Sequence, residues 1–216
     1  MPIDLYHIPP SAPCRAVRLT AAAIDVDLNL KLVDLMSGEQ LKPEYLKMNP
    51  QHTVPTMDDK GFYLGESRAI MGYLVNQYGK NDSLYPKEPK ARALVDQRLY
   101  FDLGTLYQAF ADYYYPMIFA GAPKDEAKFA KIGVAFDFLD KFLKNGTYAA
   151  GDHLTIADLA LIVTVSNCEV MEYDISKYKN VTRWAAKIKS EAKKYEEING
   201  EGAKAFRAFA DKLSKK

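Results

Sequence analysis

The chain has 216 residues, 48% of them apolar, enough for one large domain or two small ones with a sizeable core. With 29 basic and 28 acidic residues the net charge is +1, which excludes a long-range pull toward nucleic acid or an anionic membrane. No apolar run approaches the roughly 18 residues needed to span a bilayer, and Met1-Pro2-Ile3-Asp4 lacks the basic-then-apolar pattern of a signal peptide, so a cytoplasmic location is expected.

Taken in chain order, Ile3-Asp4-Leu5-Tyr6-His7 reads as a short strand, broken by Pro9 and Pro10. Ser11 then precedes Ala12-Pro13, a strong cap followed by a proline tolerated in a first helical turn. A helix over 12–23 follows, with Ala16, Val17, Leu19 and Ala23 as its apolar face. Asn29 to Val33 alternates like a strand, and Lys42 to Met48 is a short helix or turn. Val54 to Met57 and Phe62 to Leu64 read as strands joined at Asp59-Lys60-Gly61, and Glu66-Ser67-Arg68-Ala69-Ile70 opens a helix to about Tyr78. The order is βαβ, a connection, then ββα.

Gly79 to Pro89 is rich in turn residues and reads as a linker. Beyond it no strand pattern is visible. Helical spacing runs from Ala91 to about Ala120 through Leu94, Leu99, Leu103, Leu106 and Phe110, and Pro123 ends it. Asp125 to Lys144 repeats the pattern. Thr155-Ile156-Ala157-Asp158 starts another helix like a capping box, and its apolar density predicts full burial. Two more helices are predicted near Lys179–Ser190 and Tyr195–Leu213. The division is an α/β domain over 1–78, a linker over 79–90 and an all-α domain over 91–216, ending in the basic pair Lys215-Lys216. Clefts between domains are common ligand sites.

Three constellations carry chemistry. Ser11 follows a strand and caps a helix, so its hydroxyl and nearby amides face outward at a positive helix end. Ser11-Ala12-Pro13-Cys14 keeps the Cys-x-x-Cys spacing of thioredoxin-like proteins with the first cysteine replaced. That leaves no dithiol couple in the motif, only a hydroxyl able to donate to an external thiolate. The plain alternative is a cap and nothing more. Val54-Pro55 puts a proline where a strand begins. A cis bond there would expose the Val54 backbone for strand addition by a peptide ligand; an edge strand with a trans proline is the alternative. Glu66-Ser67-Arg68 forms a second anion-binding helix start, or else an ordinary cap with a solvated arginine.

His7, His52 and His153 are scattered and no spacing suggests a metal site; His153 reads as structural. There is no phosphate loop and no nucleophile elbow. Cys14 and Cys168 are far apart and read as free thiols of a reducing compartment. Cys14 inside the first turn reads as packing, and Tyr6, a rival thiol activator, reads as sheet packing.

Tyr6, Ser11-Ala12-Pro13-Cys14-Arg15, Asn49-Pro50-Gln51-His52-Thr53-Val54-Pro55-Thr56 and Glu66-Ser67-Arg68-Ala69-Ile70, in this order, closely resemble the N-terminal domain of cytosolic glutathione transferases. The Ser-Ala-Pro-Cys-Arg form resembles the insect delta class. Leu154-Thr155-Ile156-Ala157-Asp158 resembles the family's buried capping motif, and Asp112-Tyr113-Tyr114-Tyr115-Pro116 the aromatic end of its long helix, so the resemblance covers nearly the whole chain. It implies a thioredoxin-like N-terminal domain with an all-helical C-terminal domain. It implies conjugation of reduced glutathione, a co-substrate with no resident cofactor, to small apolar electrophiles in detoxification.

By the same resemblance Ser11 would hydrogen-bond the glutathione sulfur, and His52 and the Val54 backbone, with Pro55 cis, would hold the cysteinyl and glycyl part. Glu66 and Ser67 would bind the γ-glutamyl end with Arg68 beside them, and in a homodimer Asp102 would reach the partner's glutamyl pocket. Two departures stand out. Gln40 occupies a position where the delta class often has histidine; it can donate to the glycyl carboxylate but carries no charge. Pro10 stands where glycine is common. Tyr107, Phe110, Tyr115 and Phe119 recur on one side of the long helix as an electrophile wall, with Leu35 closing it and Phe206 and Phe209 as the far side; a shared aromatic face is also the ordinary signature of a core. Rival functions are a glutathione-dependent peroxidase, a non-catalytic carrier of apolar ligands, and a thiol–disulfide oxidoreductase using Cys14.

Overall fold

The structure is a computed structural model that describes residues 2–214; the Lys215-Lys216 pair lies outside the described residues. Strands β1 (Ile3–His7), β2 (Leu28–Leu32), β3 (Thr56–Asp59) and β4 (Phe62–Leu64) form one sheet in the order β2-β1-β3-β4. β1 runs parallel to β2, and β3 runs antiparallel to both β1 and β4. Helix α1 (Ala12–Ala23) makes the crossover between the parallel strands, α2 (Pro43–Met48) lies in the next connection, and α3 (Ser67–Tyr78) follows β4. This is the mixed, thioredoxin-like arrangement that the resemblance implies, with elements in the βαβ and ββα order. β3 starts at Thr56, two residues later than the strand pattern suggests, with Pro55 ahead of the ladder.

The rest is helical: α4 (Pro89–Phe101), α5 (Tyr107–Ala120), α6 (Glu126–Phe142), α7 (Ile156–Val170), α8 (Lys179–Glu191) and α9 (Glu201–Ser214). The stretch read as one helix over 91–120 is broken by a π-helical turn, Asp102–Leu106. Apolar spacing runs straight through that turn, so periodicity did not reveal it. The turn's wider winding shifts the buried face. Leu99, Leu106 and Phe110 are buried, whereas Leu103 in the turn and Leu94 ahead of it, assigned by spacing to the same face, are exposed. A second π turn, Glu196–Gly200, interrupts the last predicted helix in the same way.

Helix α7 is the centre of the molecule. Its residues Ile156 through Cys168 are all buried, and it touches α1, α4, α8 and α9. A helix without a solvent face must satisfy its first N–H groups internally. The Ile156 amide donates to the Leu84 carbonyl at 2.9 Å, and the Asp158 carboxylate takes the donors just ahead of the helix: it accepts from the Ala149 amide at 2.7 Å, the Thr155 amide at 2.9 Å and the Thr155 hydroxyl at 3.0 Å. It also accepts from the indole nitrogen of Trp184 at 2.8 Å, tying α8 to the same point. Asp158→Ala is expected to strand these buried donors and lower stability by about 3 kcal/mol. Urea unfolding followed by tryptophan fluorescence checks this through a lowered midpoint with an unchanged slope.

Candidate active site

Strand register places the sequence-predicted groups at one end of the sheet. His7 at the end of β1 pairs with Leu32 at the end of β2, and Tyr6 pairs with Thr56 at the start of β3. Met57 in turn pairs with Leu64 at the end of β4. The segments carrying Ser11, Leu35 and Gln40, Val54 and Pro55, and Glu66 and Ser67 all leave the sheet at this end. α1 and α3 both begin there, so two helix N-termini with free amides face the same space.

Ser11 is the cap of α1 and half-buried. Its hydroxyl oxygen accepts from the Cys14 amide at a long 3.4 Å, and its amide donates to the Ile8 carbonyl at 3.2 Å. The hydroxyl proton remains available to an outside acceptor. Cys14 is fully buried, and burial pushes its thiol up to about 11, against a weaker lowering by the Ser11 contact. That is the opposite of a reactive thiolate and removes the Cys14 oxidoreductase reading. Cys168 is likewise buried and free. Tyr6 packs edge-on against Tyr45 with ring centroids 5.9 Å apart, within the sheet layer.

The Val54–Pro55 peptide is cis. The carbonyl of Thr53 just before it is pinned by the Tyr45 hydroxyl at 2.7 Å, the Thr56 hydroxyl at 2.9 Å and the Asn49 side-chain amide at 3.2 Å. Among the described residues neither the amide nor the carbonyl of Val54 has a partner, so a fixed backbone edge is open to an extended ligand. His52 is exposed and sits at φ 48°. Gln40, in a short 3₁₀ turn, is half-buried; its Nε2 approaches the Leu35 carbonyl at 3.4 Å and its buried Oε1 has no partner among the described residues.

Glu66 is exposed and held at φ 60°, a strained value for a non-glycine residue. Ser67 is buried at the first turn of α3. The Arg68 guanidinium donates to the Ser67 hydroxyl oxygen at 2.8 Å and forms an ion pair with Asp102. Asp102 is fully buried and also accepts from the Thr164 hydroxyl at 2.8 Å. Burial pushes the Asp102 carboxyl up, and its bonds to Arg68 and Thr164 oppose that. Two expectations change here. Asp102 does not reach toward a second chain: it is spent inside its own, at the π turn that spacing did not show. Arg68 is not a solvated arginine either; it braces Ser67 from below and links α3 to the helical half.

The aromatics form one connected cluster. Tyr107 and Tyr115 share a hydroxyl–hydroxyl bond of 2.7 Å, Tyr115 meets Phe119 at 5.5 Å between centroids, and Phe119 meets Phe209 at 6.1 Å. Phe110 and Phe206 pack on each other at 5.9 Å and are both buried. These two, expected on the wall, stand behind it: close packing leaves them no face for a ligand. Tyr107 and Tyr115 are half-buried and Phe119 is exposed, so these three form the accessible part, with Leu35 half-buried.

The remaining histidines are accounted for. His7 is buried, and burial together with Arg18 pushes it down to about 4, so it is neutral near pH 7. His153 bonds Asp152 at 2.6 Å and the Ser83 carbonyl at 2.8 Å, holding the linker. Among the described residues no group of three or more His, Cys, Asp or Glu is placed to hold a metal ion, and no helix is long and apolar enough to cross a membrane. Two cavities border Asp25 at the far end of α1, beside its ion pairs to Lys80 and Lys193, and hold none of the site residues.

One constellation escaped the sequence reading. Arg15 is fully buried, with its guanidinium bonded to Asn167 and Asn199 of the helical half. The signal was there: Ala12, Arg15, Ala16 and Leu19 share one face of α1, and a charged residue on an apolar face calls for buried partners.

Comparison with known proteins agrees with this geometry. The family model described as "Glutathione S-transferase, N-terminal domain" matches residues 5–82, and that described as "Glutathione S-transferase, C-terminal domain" matches residues 105–192. A delta-class glutathione transferase of Nilaparvata lugens is 59% identical, with a TM-score of 0.96, over 98% of this chain and 100% of that one. A Bombyx mori glutathione transferase is 49% identical, with a TM-score of 0.94, over 97% of this chain and 98% of that one. A diazinon-metabolizing glutathione S-transferase of the silkworm is 34% identical, with a TM-score of 0.89, over 96% of this chain and 100% of that one. A thioredoxin-like half carrying an outward hydroxyl at a helix N-terminus, joined to a helical half with an aromatic wall, thus has full-length relatives of one kind, and the chain belongs to the glutathione S-transferase family.

Proposed function

We propose that Ser11 fixes the sulfur of glutathione as a thiolate by donating its hydroxyl proton in a hydrogen bond, without itself ionising. The observation that carries this is the Ser11 hydroxyl at the N-terminus of α1, engaged only by a long contact from Cys14. A free thiol with a pKa near 8.5 is only roughly 7% thiolate at pH 7.4. A charge-assisted hydrogen bond of about 1.5–3 kcal/mol lowers that pKa by about one to two units. The helix end adds roughly 0.3–1 kcal/mol. The thiolate then dominates, about a tenfold gain in nucleophile. The rest of the rate comes from placing the electrophile beside the sulfur.

The open Val54 backbone pairs with the cysteinyl part, beside cis-Pro55 and His52. Glu66 accepts the γ-glutamyl ammonium, and Ser67, braced by Arg68, binds its carboxylate. Gln40 contacts the glycyl end as a neutral donor. Tyr107, Tyr115 and Phe119, with Leu35 opposite, receive a small apolar electrophile; the similarity to a diazinon-metabolizing enzyme supports a pocket for such compounds. The division into a glutathione-binding domain over 1–78, a linker over 79–90 and an electrophile-binding helical domain over 91–216 is supported by the two family matches. The working form is a homodimer in the cytoplasm. Supporting this, α4 leaves Leu94 and Tyr100 exposed and the edge strand β4 leaves Phe62 and Tyr63 exposed, while both cysteines are free.

Ser11→Ala is expected to raise the pKa of bound glutathione by one to two units and to cut kcat/KM at pH 6.5 at least tenfold, with glutathione still binding. Conjugation at a near wild-type rate by a variant that binds glutathione would sink the serine reading. Glu66→Gln is expected to raise KM for glutathione about tenfold with kcat little changed, the mark of a contact made equally in ground and transition states. Sedimentation of the wild-type protein is expected to give twice the chain mass, and Tyr100→Arg to shift the population toward the monomer.

A further inference from the structure

Arg15 is a buried cation without an anionic partner. Its side chain is fully buried in the first turns of α1, four residues beyond Ser11. Nη1 donates to the side-chain oxygen of Asn199 at 2.7 Å and to its carbonyl at 3.2 Å, and Nη2 donates to the side-chain oxygen of Asn167. Nε has no partner among the described residues. Every acceptor is neutral. Asn199 passes the chain of bonds on to Ser166 at 3.0 Å and to the Tyr195 hydroxyl at 2.9 Å, again neutral groups.

The ionisable groups facing Arg15 come from three of the elements around it. Cys14 lies on its own helix, Tyr107 and Tyr115 on α5, and Tyr195 just ahead of the second π turn. Glu197 in that turn acts on Arg18. Among the described residues no carboxylate stands within ion-pair distance of Arg15. Uncompensated buried charge is costly, and the usual remedy is one acidic neighbour. The remedy is within reach here. The side-chain nitrogen of Asn167 is buried and unpartnered, so an aspartate at 167 would lose no hydrogen bond and would give Arg15 a counter-ion.

We infer that Arg15 is a positioning residue for the reaction, whose unpaired charge at the base of the Ser11 turn has the substrate thiolate as its counter-ion, and that neutral Asn167 and Asn199 keep that charge undiminished. This rests on the Ser11 reading above. The location fits on two further counts. An added Cβ at Gly202, the second residue of α9, would come within 2.3 Å of the Arg15 stem and 2.9 Å of the Pro9 carbonyl, so α9 clamps the stem against the loop that leads to Ser11. The charge is also felt at the site: it lowers the Cys14 thiol and the Tyr115 hydroxyl relative to what burial alone does. Burial brings Arg15 itself down to about 10, which leaves it charged throughout the working range. A unit charge roughly 10 Å away, at an effective dielectric near 20, moves a thiol pKa by about one unit.

The test is Asn167→Asp, read by the ultraviolet absorbance of bound glutathione thiolate across pH, beside Arg15→Lys and Ser11→Ala. The expected result for Asn167→Asp is a thiol pKa raised by about one unit, with kcat/KM at pH 6.5 down about tenfold and restored at high pH, and a melting temperature equal to or above wild type. Arg15→Lys, which keeps the charge, is expected to keep the wild-type pKa. A thiol pKa unmoved by Asn167→Asp overturns the inference, whichever way Ser11→Ala behaves. A rise with Asn167→Asp but none with Ser11→Ala upholds Arg15 and sinks the serine reading instead.

Discussion

A helix with no face toward water governs the rest of this structure. α7 is buried on every side, so each polar group it carries needs a partner from another element. The Asp158 carboxylate accepts from Thr155 at the N-terminus and gathers the Ala149 amide and the Trp184 indole to the same point. Thr164 takes Asp102, Ser166 takes Tyr195, and Asn167 takes Arg15. The polar side chains of one buried helix thus become the attachment points for the first π turn, for α8, for the segment ahead of the second π turn and for α1. These few satisfied groups lie inside the continuous apolar core that joins the two halves.

Two of those attachments run straight to the site. The Arg68–Asp102–Thr164 chain starts under Ser67 and ends on α7. The Arg15–Asn167 bond starts one helical turn from Ser11 and ends on the same helix. Ser67 and the Ser11 turn are therefore both referenced to one rigid post. This is preorganisation in a concrete form: hydroxyls half-engaged or braced, and a backbone edge at Val54 held open by three bonds to the carbonyl before it.

The two arginines differ in a way that matters chemically. Arg68 is paired with a carboxylate, so its field at the site is largely cancelled and its contribution is geometric. Arg15 is paired only with amides, so its field persists. Identical side chains, both taken out of water, end with opposite electrostatic roles because one neighbour is Asp102 and the other is Asn167. The aromatic cluster shows a similar division: Phe110 and Phe206 are spent on packing, which leaves Tyr107, Tyr115 and Phe119 as its accessible members.

Much of this was legible in the chain itself. Strand and helix periods marked the order of elements along the chain and the buried character of α7, because those are local patterns of apolar spacing. Motif order marked the family, Ser11, the cis Val54–Pro55 bond and the Glu66-Ser67 turn, because special backbone positions demand special residues. The tertiary structure alone decided the rest. Apolar spacing passes unbroken through both π turns, so the inward placement of Asp102 could not be read from it. Which aromatics face the cleft depends on packing between α5 and α9, not on their period. The partners of Arg15 lie 152 and 184 residues away, and a charge is paired or unpaired only once distant segments have met.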